Sequence, residues 1–282
     1  MSKKATLTSK AYLLPFVLVT SLFFLWGFAR AILDVLNKHF QNVLDISITQ
    51  SSLIQVSTYL GYFIMAIPAG WFINRQGYRR GVVFGLLLFG IGAFMFIPGA
   101  LAGSFYGYLV ALFVIGCGLV FLETSANPYV TELGDPQTST ARLNFSQSFN
   151  GLGSMTATLA IGQFLFCGDA DSDDIVKPYI ILGFLVLLIA VVFSRVDLPE
   201  IKHKETEEDR MQDTRIMKLF RHHPMFVFGL FSLLAYEVAE ISINSYFINF
   251  VTGQGWMADD TASLVLTCAL GFFMIGRFIG AW

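Results

Sequence analysis

Charge is what this sequence has least of. Only 13% of its 282 residues are Asp, Glu, Lys or Arg, against roughly 25% in soluble domains, and the mean hydropathy is +0.64. A water-soluble globular chain is thereby excluded. Cysteine is scarce too: Cys117, Cys167 and Cys268 stand singly, with no C-x-x-C spacing, so no metal or redox centre is implied and a packing role is expected for each. The G-x-x-x-x-G-K-[ST] loop is absent, which removes the phosphate cradle of a nucleotide-driven machine. The four histidines, His39, His203, His222 and His223, fall in or beside loops, away from the embedded carboxylates. No nucleophile, metal or acid–base pair of an enzyme stands out, and no cofactor, metal ion or nucleic-acid partner is implied. A ten-residue alternation of apolar and polar residues is also missing, which excludes a spanning β-barrel.

What remains is a series of long apolar runs at 11–33, 51–73, 81–103, 104–122, 145–167, 178–194, 224–236 with 241–251, and 261–276. Each is long enough to cross roughly 30 Å of hydrocarbon as a helix. Eight spanning helices are expected, in an all-α membrane protein. The first run is too long for a signal-peptide core and has no small-residue cleavage site, so it reads as the first span.

Lys and Arg collect in alternate loops. Lys3, Lys4, Lys10, Arg75, Arg79, Arg80, Arg142, Arg195, Lys202, Lys204, Arg210, Arg215, Lys218 and Arg221 fall on one side, and only Lys38 and Lys177 on the other, beside an acidic patch at Asp169, Asp171, Asp173 and Asp174. Fourteen against two predicts a cytoplasmic amino terminus. The segment 195–223 is the one long hydrophilic stretch. It divides a six-helix unit, 1–194, from a fresh start of helices at 224–282, the layout of a two-half transporter. If the second half mirrors the first, four helices are missing, and the chain reads as an incomplete form of a twelve-helix protein. An eight-helix protein of its own kind is the alternative.

Six ionisable groups sit inside the apolar runs: Arg30, Asp34, Glu123, Glu237, Glu240 and Arg277. A charge at mid-bilayer costs about 2.5–3.5 kcal/mol even on lenient scales, so these groups are expected to face a bundle interior or a wet cavity. Uncharged polar residues mark the same interior. Ser51, Gln55, Thr58 and Tyr62 follow one stripe of helical period; Gln147, Asn150 and Ser154 form a second; Glu237, Glu240 and Asn244 form a third. Such amides and carboxylates suit sugar hydroxyls, and Trp26, Tyr59, Tyr62 and Tyr236 can pack on the apolar face of a pyranose. The same polar residues also serve as interhelical hydrogen-bond glue.

Glu123 has no cation one helical turn away, and its nearest polar neighbour on the helix is Asn127. A carboxyl taken out of water without a counter-ion is suited to binding and releasing a proton at physiological pH. Arg30 and Asp34 lie four apart and can neutralise one another. Glu237 and Glu240 are close enough to share a proton. In GWFINRQGYRR (70–80), Gly70 is expected to permit close helix approach and Gly77 a tight turn. Arg75, Arg79 and Arg80 are expected on the carbonyls of cytoplasmic helix ends.

At these residues the chain resembles a family. GWFINRQGYRR is similar to the G-x-x-x-D-R-x-G-R-R signature of the major facilitator superfamily, with Asn74 where Asp is usual and Tyr78 for the first basic residue. FFLWGFARAILDVLNKHFQ, FLETSANPYVTELG, ARLNFSQSFNGLGS and FFMIGRFIGAW resemble segments of the fucose-galactose-glucose proton symporters, nearest to L-fucose/proton symporters. The resemblance implies alternating-access symport of a sugar with a proton across a bacterial inner membrane, by a protein monomeric at full length. It implies proton-coupling acids at Asp34 and Glu123, and sugar contacts at Gln147 and Asn150. The reading of the residues adds Asn127, Gln55, Tyr62, Trp26, Glu237, Glu240 and Asn244 to the sugar contacts, and Gly70, Asn74, Arg75, Gly77, Arg79, Arg80 and Arg277 as gating or structural residues. One departure stands out: Arg30-Ala31-Ile32-Leu33-Asp34 replaces an Asn-Asn-x-Asn-Asp run, losing amides and gaining a cation.

Overall fold

The computed structural model describes residues 7–166, 176–196, 198–199, 220 and 222–280. Lys3, Lys4, Cys167, the 169–174 acidic patch and most of the 195–223 linker lie outside the described residues. Eight long helices carry the architecture, and the described residues include no strand. They are α1 (Leu13–Leu44), α3 (Leu53–Gln76) after the single turn α2 (Ile48–Ser51), α4 (Tyr78–Phe94) extended by the short α5 (Phe96–Leu101), α6 (Phe105–Glu132), α7 (Ser139–Phe166), α8 (Val176–Arg195), α9 (Pro224–Gly253) and α10 (Asp259–Gly280).

The helices outrun the apolar segments that announce them. α1 continues through Arg30, Asp34 and Lys38 to Leu44, because a charge that faces inward need not end a helix in a membrane. Seven of the described helices are long and apolar enough to cross a bilayer. The eighth of the expected spans, α7, is too polar to qualify by composition, yet its 28 residues reach about 42 Å at 1.5 Å per residue. Packing accounts for its polarity: α7 lies between α1 and α10, its two most extensive neighbours, and Ser146, Ser148, Asn150 and Thr158 are all buried.

Faces sort as the lipid requires. Along α2 and α3 the stripe Ser51–Gln55–Thr58 is buried, while Val56, Leu60, Phe63, Ile64, Ile67 and Trp71 look outward. On α8, Ile181, Phe184, Leu188 and Val191 do the same. One continuous apolar core runs from Phe16 to Leu198. A second, small one (Ile248, Val251, Ala262, Leu266) joins α9 to α10.

Small residues set the tightest contact. A Cβ at Gly27 would lie 2.0 Å from the Asn150 carbonyl oxygen, and one at Gly153 would lie 2.1 Å from that of Phe24. The α1 and α7 backbones therefore touch, as small residues allow in membranes. Gly70, expected to play this part, has nothing within 4 Å of where its Cβ would be; no helix packs against that position.

The basic motif is more varied than its spacing suggests. Gly77 turns the chain between α3 and α4 at φ 87°. Arg79 donates to the Phe193 carbonyl (3.0 Å) and to that of Ser194, closing the end of α8 as expected. Arg80 instead donates to the Gln76 side chain, and Arg75 stacks 4.1 Å over the Trp71 ring. Asn74 is exposed. Cys117 is buried, as a packing residue should be, but Cys268 is exposed on α10.

Arg142, counted above among the loop cations, is fully buried. Its guanidinium donates to the carbonyls of Val130 (3.1 Å), Thr131, Asp135 (3.0 Å) and Leu7 (3.1 Å), and to the Thr138 hydroxyl (2.6 Å). Val130 and Thr131 lie in the last turn of α6, whose carbonyls have no helical partner, so one side chain satisfies the end of α6 and pins the amino-terminal segment beside it. Arg142→Ala removes the donor on the Thr131 carbonyl, at about 1–3 kcal/mol if it is left dry, while the Val130 and Asp135 carbonyls keep the Leu133 and Thr138 backbone donors. A marked fall in thermal unfolding temperature in detergent is expected; an unchanged temperature would show that water replaces the guanidinium without penalty.

Candidate functional site

The six embedded charges converge. Trp26 and Arg30 of α1, Tyr59 and Tyr62 of α3, Glu123 of α6, Gln147 and Asn150 of α7, Glu237 and Glu240 of α9, and Phe273 and Arg277 of α10 line a cavity of about 400 Å³. A small void of about 30 Å³ shares Arg30, Tyr59, Asn150 and Glu240 and adds Asp34, Ser154 and Asn244. The larger falls within the range of small-molecule sites, roughly 300–1,000 Å³ with a few convergent polar groups. The reason is the solvent: a helix in lipid can hide a charge only on the face it shares with other helices.

Arg30 is the hub. Its Nη2 lies 3.5 Å from Glu237 Oε2 and 3.4 Å from Glu240 Oε1. The structure thus corrects two expectations. Arg30 does not neutralise Asp34 along its own helix; it reaches across to α9. Glu237 and Glu240 do not stand alone as a carboxylate pair; both flank the Arg30 guanidinium. Both separations exceed the 2.7–2.9 Å of a tight charge-assisted bond, so these are loose pairs.

Asp34 has a different partner. Ser245 of α9 donates to Asp34 Oδ1 at 2.7 Å, and Gln55 of α3 donates to the same Ser245 hydroxyl at 3.0 Å. Gln55 is buried, with its amide also on the Leu33 carbonyl (3.4 Å), so its donors are committed to protein rather than turned to the cavity. Glu123 makes no ion pair among the described residues. It borders both the large cavity and a second groove that it shares with Tyr62, Thr124 and Asn127. Asn127 belongs to that groove, where its Oδ1 accepts from Gln147 Nε2 at 3.2 Å.

Aromatic residues form the wall. Trp26 Nε1 donates to the Tyr62 hydroxyl at 2.9 Å, and the Tyr59 and Tyr62 rings lie 5.8 Å apart. Tyr236 does not join them, being exposed on α9. Sequence reasoning missed Phe273 and Ser245. Arg277 stacks on Phe273 at 4.8 Å, and their four-residue spacing was a usable signal. Ser245, a small hydroxyl beside Asn244, offered none.

Similarity to known proteins agrees with this geometry. The family model described as Major Facilitator Superfamily matches residues 19–282. The chain belongs to that superfamily. It is 34% identical to the L-fucose-proton symporter of Haemophilus influenzae, over 98% of this chain and 70% of the relative. It is 33% identical to the glucose/galactose transporter of Brucella abortus, over 98% of this chain and 68% of that one. Among solved structures, the fucose:proton symporter of Escherichia coli superposes with a TM-score of 0.73 at 31% identity, over 97% of this chain and 71% of that one. This superfamily member therefore spans about 70% of the length of these relatives, and its family is one of transporters rather than enzymes.

The burial of the partners orders the Arg30 pairs. Glu240 is 21% exposed at its side chain and Glu237 43%, so water screens the second pair more. A double-mutant cycle of Arg30→Gln with Glu240→Gln in thermal unfolding is expected to give a coupling of about 1 kcal/mol, and with Glu237→Gln less. Strictly additive effects in both cycles would show that Arg30 is not held by these carboxylates.

Proposed function

We propose that this superfamily member is a proton-coupled symporter of a monosaccharide, L-fucose favoured, working by alternating access. The observation that carries this reading is the mixed wall of the large cavity. Hydrogen-bonding amides (Gln147, Asn150) and aromatic rings (Trp26, Tyr59, Tyr62) face carboxylates on both sides of one cation. Amides and carboxylates bind hydroxyls; rings pack on the apolar face of a sugar. The names of the relatives support sugar and proton as the cargo. Glucose or galactose is the second reading, favoured by the 33% identity to the Brucella transporter. The Arg30 substitution in the first helix, which replaces amides by a cation, bears directly on which sugar fits.

In this proposal the bundle is a six-helix half (1–194), a cytoplasmic linker (195–223) and the start of a second half (224–282), with the amino terminus on the cytoplasmic side of a bacterial inner membrane and a monomer as the working unit. Asp34 and Glu123 hold the coupled proton. A neutral carboxyl tolerates a dry, closed cavity better than a carboxylate does, so proton binding biases which side is open. Glu123 is placed to load from the sugar cavity and unload through the neighbouring groove, because it borders both. Arg30 then sets the charge balance, releasing Glu237 or Glu240 to a hydroxyl when sugar enters.

The test separates coupling from binding. In vesicles, Glu123→Gln is expected to abolish sugar-driven alkalinisation while sugar counterflow survives. Competition by L-fucose, D-glucose and D-galactose identifies the substrate. Undiminished proton uptake in the variant would remove Glu123 from the mechanism.

A further inference from the structure

Apart from the pairs of Glu237 and Glu240 with Arg30, α9 meets the rest of the protein through a buried patch near its end. Its buried residues are Ser245, Ile248, Asn249 and Val251, whereas Phe228 to Tyr236 are exposed. At the patch, three helices are joined by one directed hydrogen-bond chain: Gln55 (α3) to Ser245 (α9) to Asp34 (α1), at 3.0 and 2.7 Å. The direction is forced by chemistry. An amide nitrogen can only donate, so the Ser245 oxygen accepts from Gln55 and its single proton goes to Asp34.

A chain of this polarity ends well on a carboxylate and poorly on a carboxylic acid. The bond from Ser245 is charge-assisted while Asp34 is ionised and falls to an ordinary neutral bond once Asp34 is protonated. If the added proton sits on Oδ1, it donates to the second lone pair of the Ser245 oxygen: the bond reverses, the Ser245 proton must turn elsewhere, and the charge assistance is gone. We infer that Ser245 is a positioning residue that senses the protonation of Asp34 and converts it into loosening of α9 from α1 and α3. The inference rests on the proposed proton-binding role of Asp34.

Two further observations show that the closed patch is poised rather than locked. Asn249, one turn beyond Ser245 and buried, has neither side-chain nitrogen nor oxygen hydrogen-bonded. Closure thus leaves an amide dry that opening would hydrate. At the rim, α10, which follows α9, is tied to α1 by Asp259, which accepts from Asn42 (2.7 Å) and pairs more loosely with Lys38 (3.8 Å). Both rim contacts are partly exposed and screened. The charged and titratable groups that face Asp34 are Arg30 from α1, Tyr59 from α3 and Glu240 from α9. α7 and α10 contribute only Asn150, Ser154, Leu270 and Phe273.

The experiment measures opening, not transport. Spin labels are placed at Thr49→Cys and Trp256→Cys, exposed positions on either side of the seam, in the full chain with its native cysteines replaced by alanine. Their separation is followed by pulsed electron resonance from alkaline to acidic pH in lipid nanodiscs. Acidification is expected to lengthen the distance. Ser245→Ala is expected to lose that pH-dependent shift, Ser245→Thr to keep it because the hydroxyl remains, and Glu240→Gln to keep it because Glu240 is not in the chain. An undiminished shift in Ser245→Ala, or its loss in Glu240→Gln or in Ser245→Thr, would overturn the role of Ser245. A shift that persists in Asp34→Asn, or is absent from the parent, would instead overturn the underlying reading of Asp34.

Discussion

The constraint on which this structure depends is the cost of a charge in hydrocarbon. Six ionisable side chains lie in spanning helices, and lipid accepts none of them cheaply. The helices therefore turn their charged faces toward one another, and a wet cavity is what remains between those faces. Site and fold are in this sense one solution: the groups that line the cavity are the groups that dictate which way each helix faces.

Arg30 shows how the charges are balanced. Its guanidinium lies between Glu237 and Glu240, which joins the amino-terminal helices to α9 through polar contacts in the cavity itself. Apolar burial contributes little there, since the first turns of α9 are largely exposed. An interface held by polar pairs can be broken and remade at small cost, whereas the Phe16–Leu198 core cannot. The contrast matches a rigid unit meeting a movable element, with Gln55, Ser245 and Asp34 at the junction.

α7 illustrates the same logic at the level of the backbone. It is the most polar of the long helices, and on composition alone it fails the test for a span. It lies in the bundle because Gly27 and Gly153 bring α1 against it and α10 covers its other side. Serine and threonine hydroxyls along it bond to carbonyls, as Ser154 does to Gly27 at 3.1 Å. Those local bonds satisfy polar groups that would otherwise be costly in lipid.

Much of this was legible in the residues. Composition and run length alone determined a polytopic helical membrane protein, and the six embedded charges together with the 3.6-residue stripes on α3, α7 and α9 determined which faces turn inward, because lipid penalises any other orientation. The basic motif at 70–80 and four further segments pointed to the superfamily. Partners were another matter. Arg30 had Asp34 one turn away in sequence, yet it pairs with Glu237 and Glu240, more than two hundred residues distant. Gln55 looked like a sugar ligand and is instead committed to Ser245. Gly70 looked like a packing glycine and faces open space, while Arg142 looked like a solvated loop cation and is fully buried. Helical periodicity says which side of a helix is polar, and so the sequence by itself determined which helix faces turn to the cavity, though not each residue that lines it. Only the packing of α9 and α10 against α1, α3 and α7 decided who bonds to whom, because a hydrogen bond or ion pair is fixed by distances of a few ångströms between helices that sequence spacing does not encode.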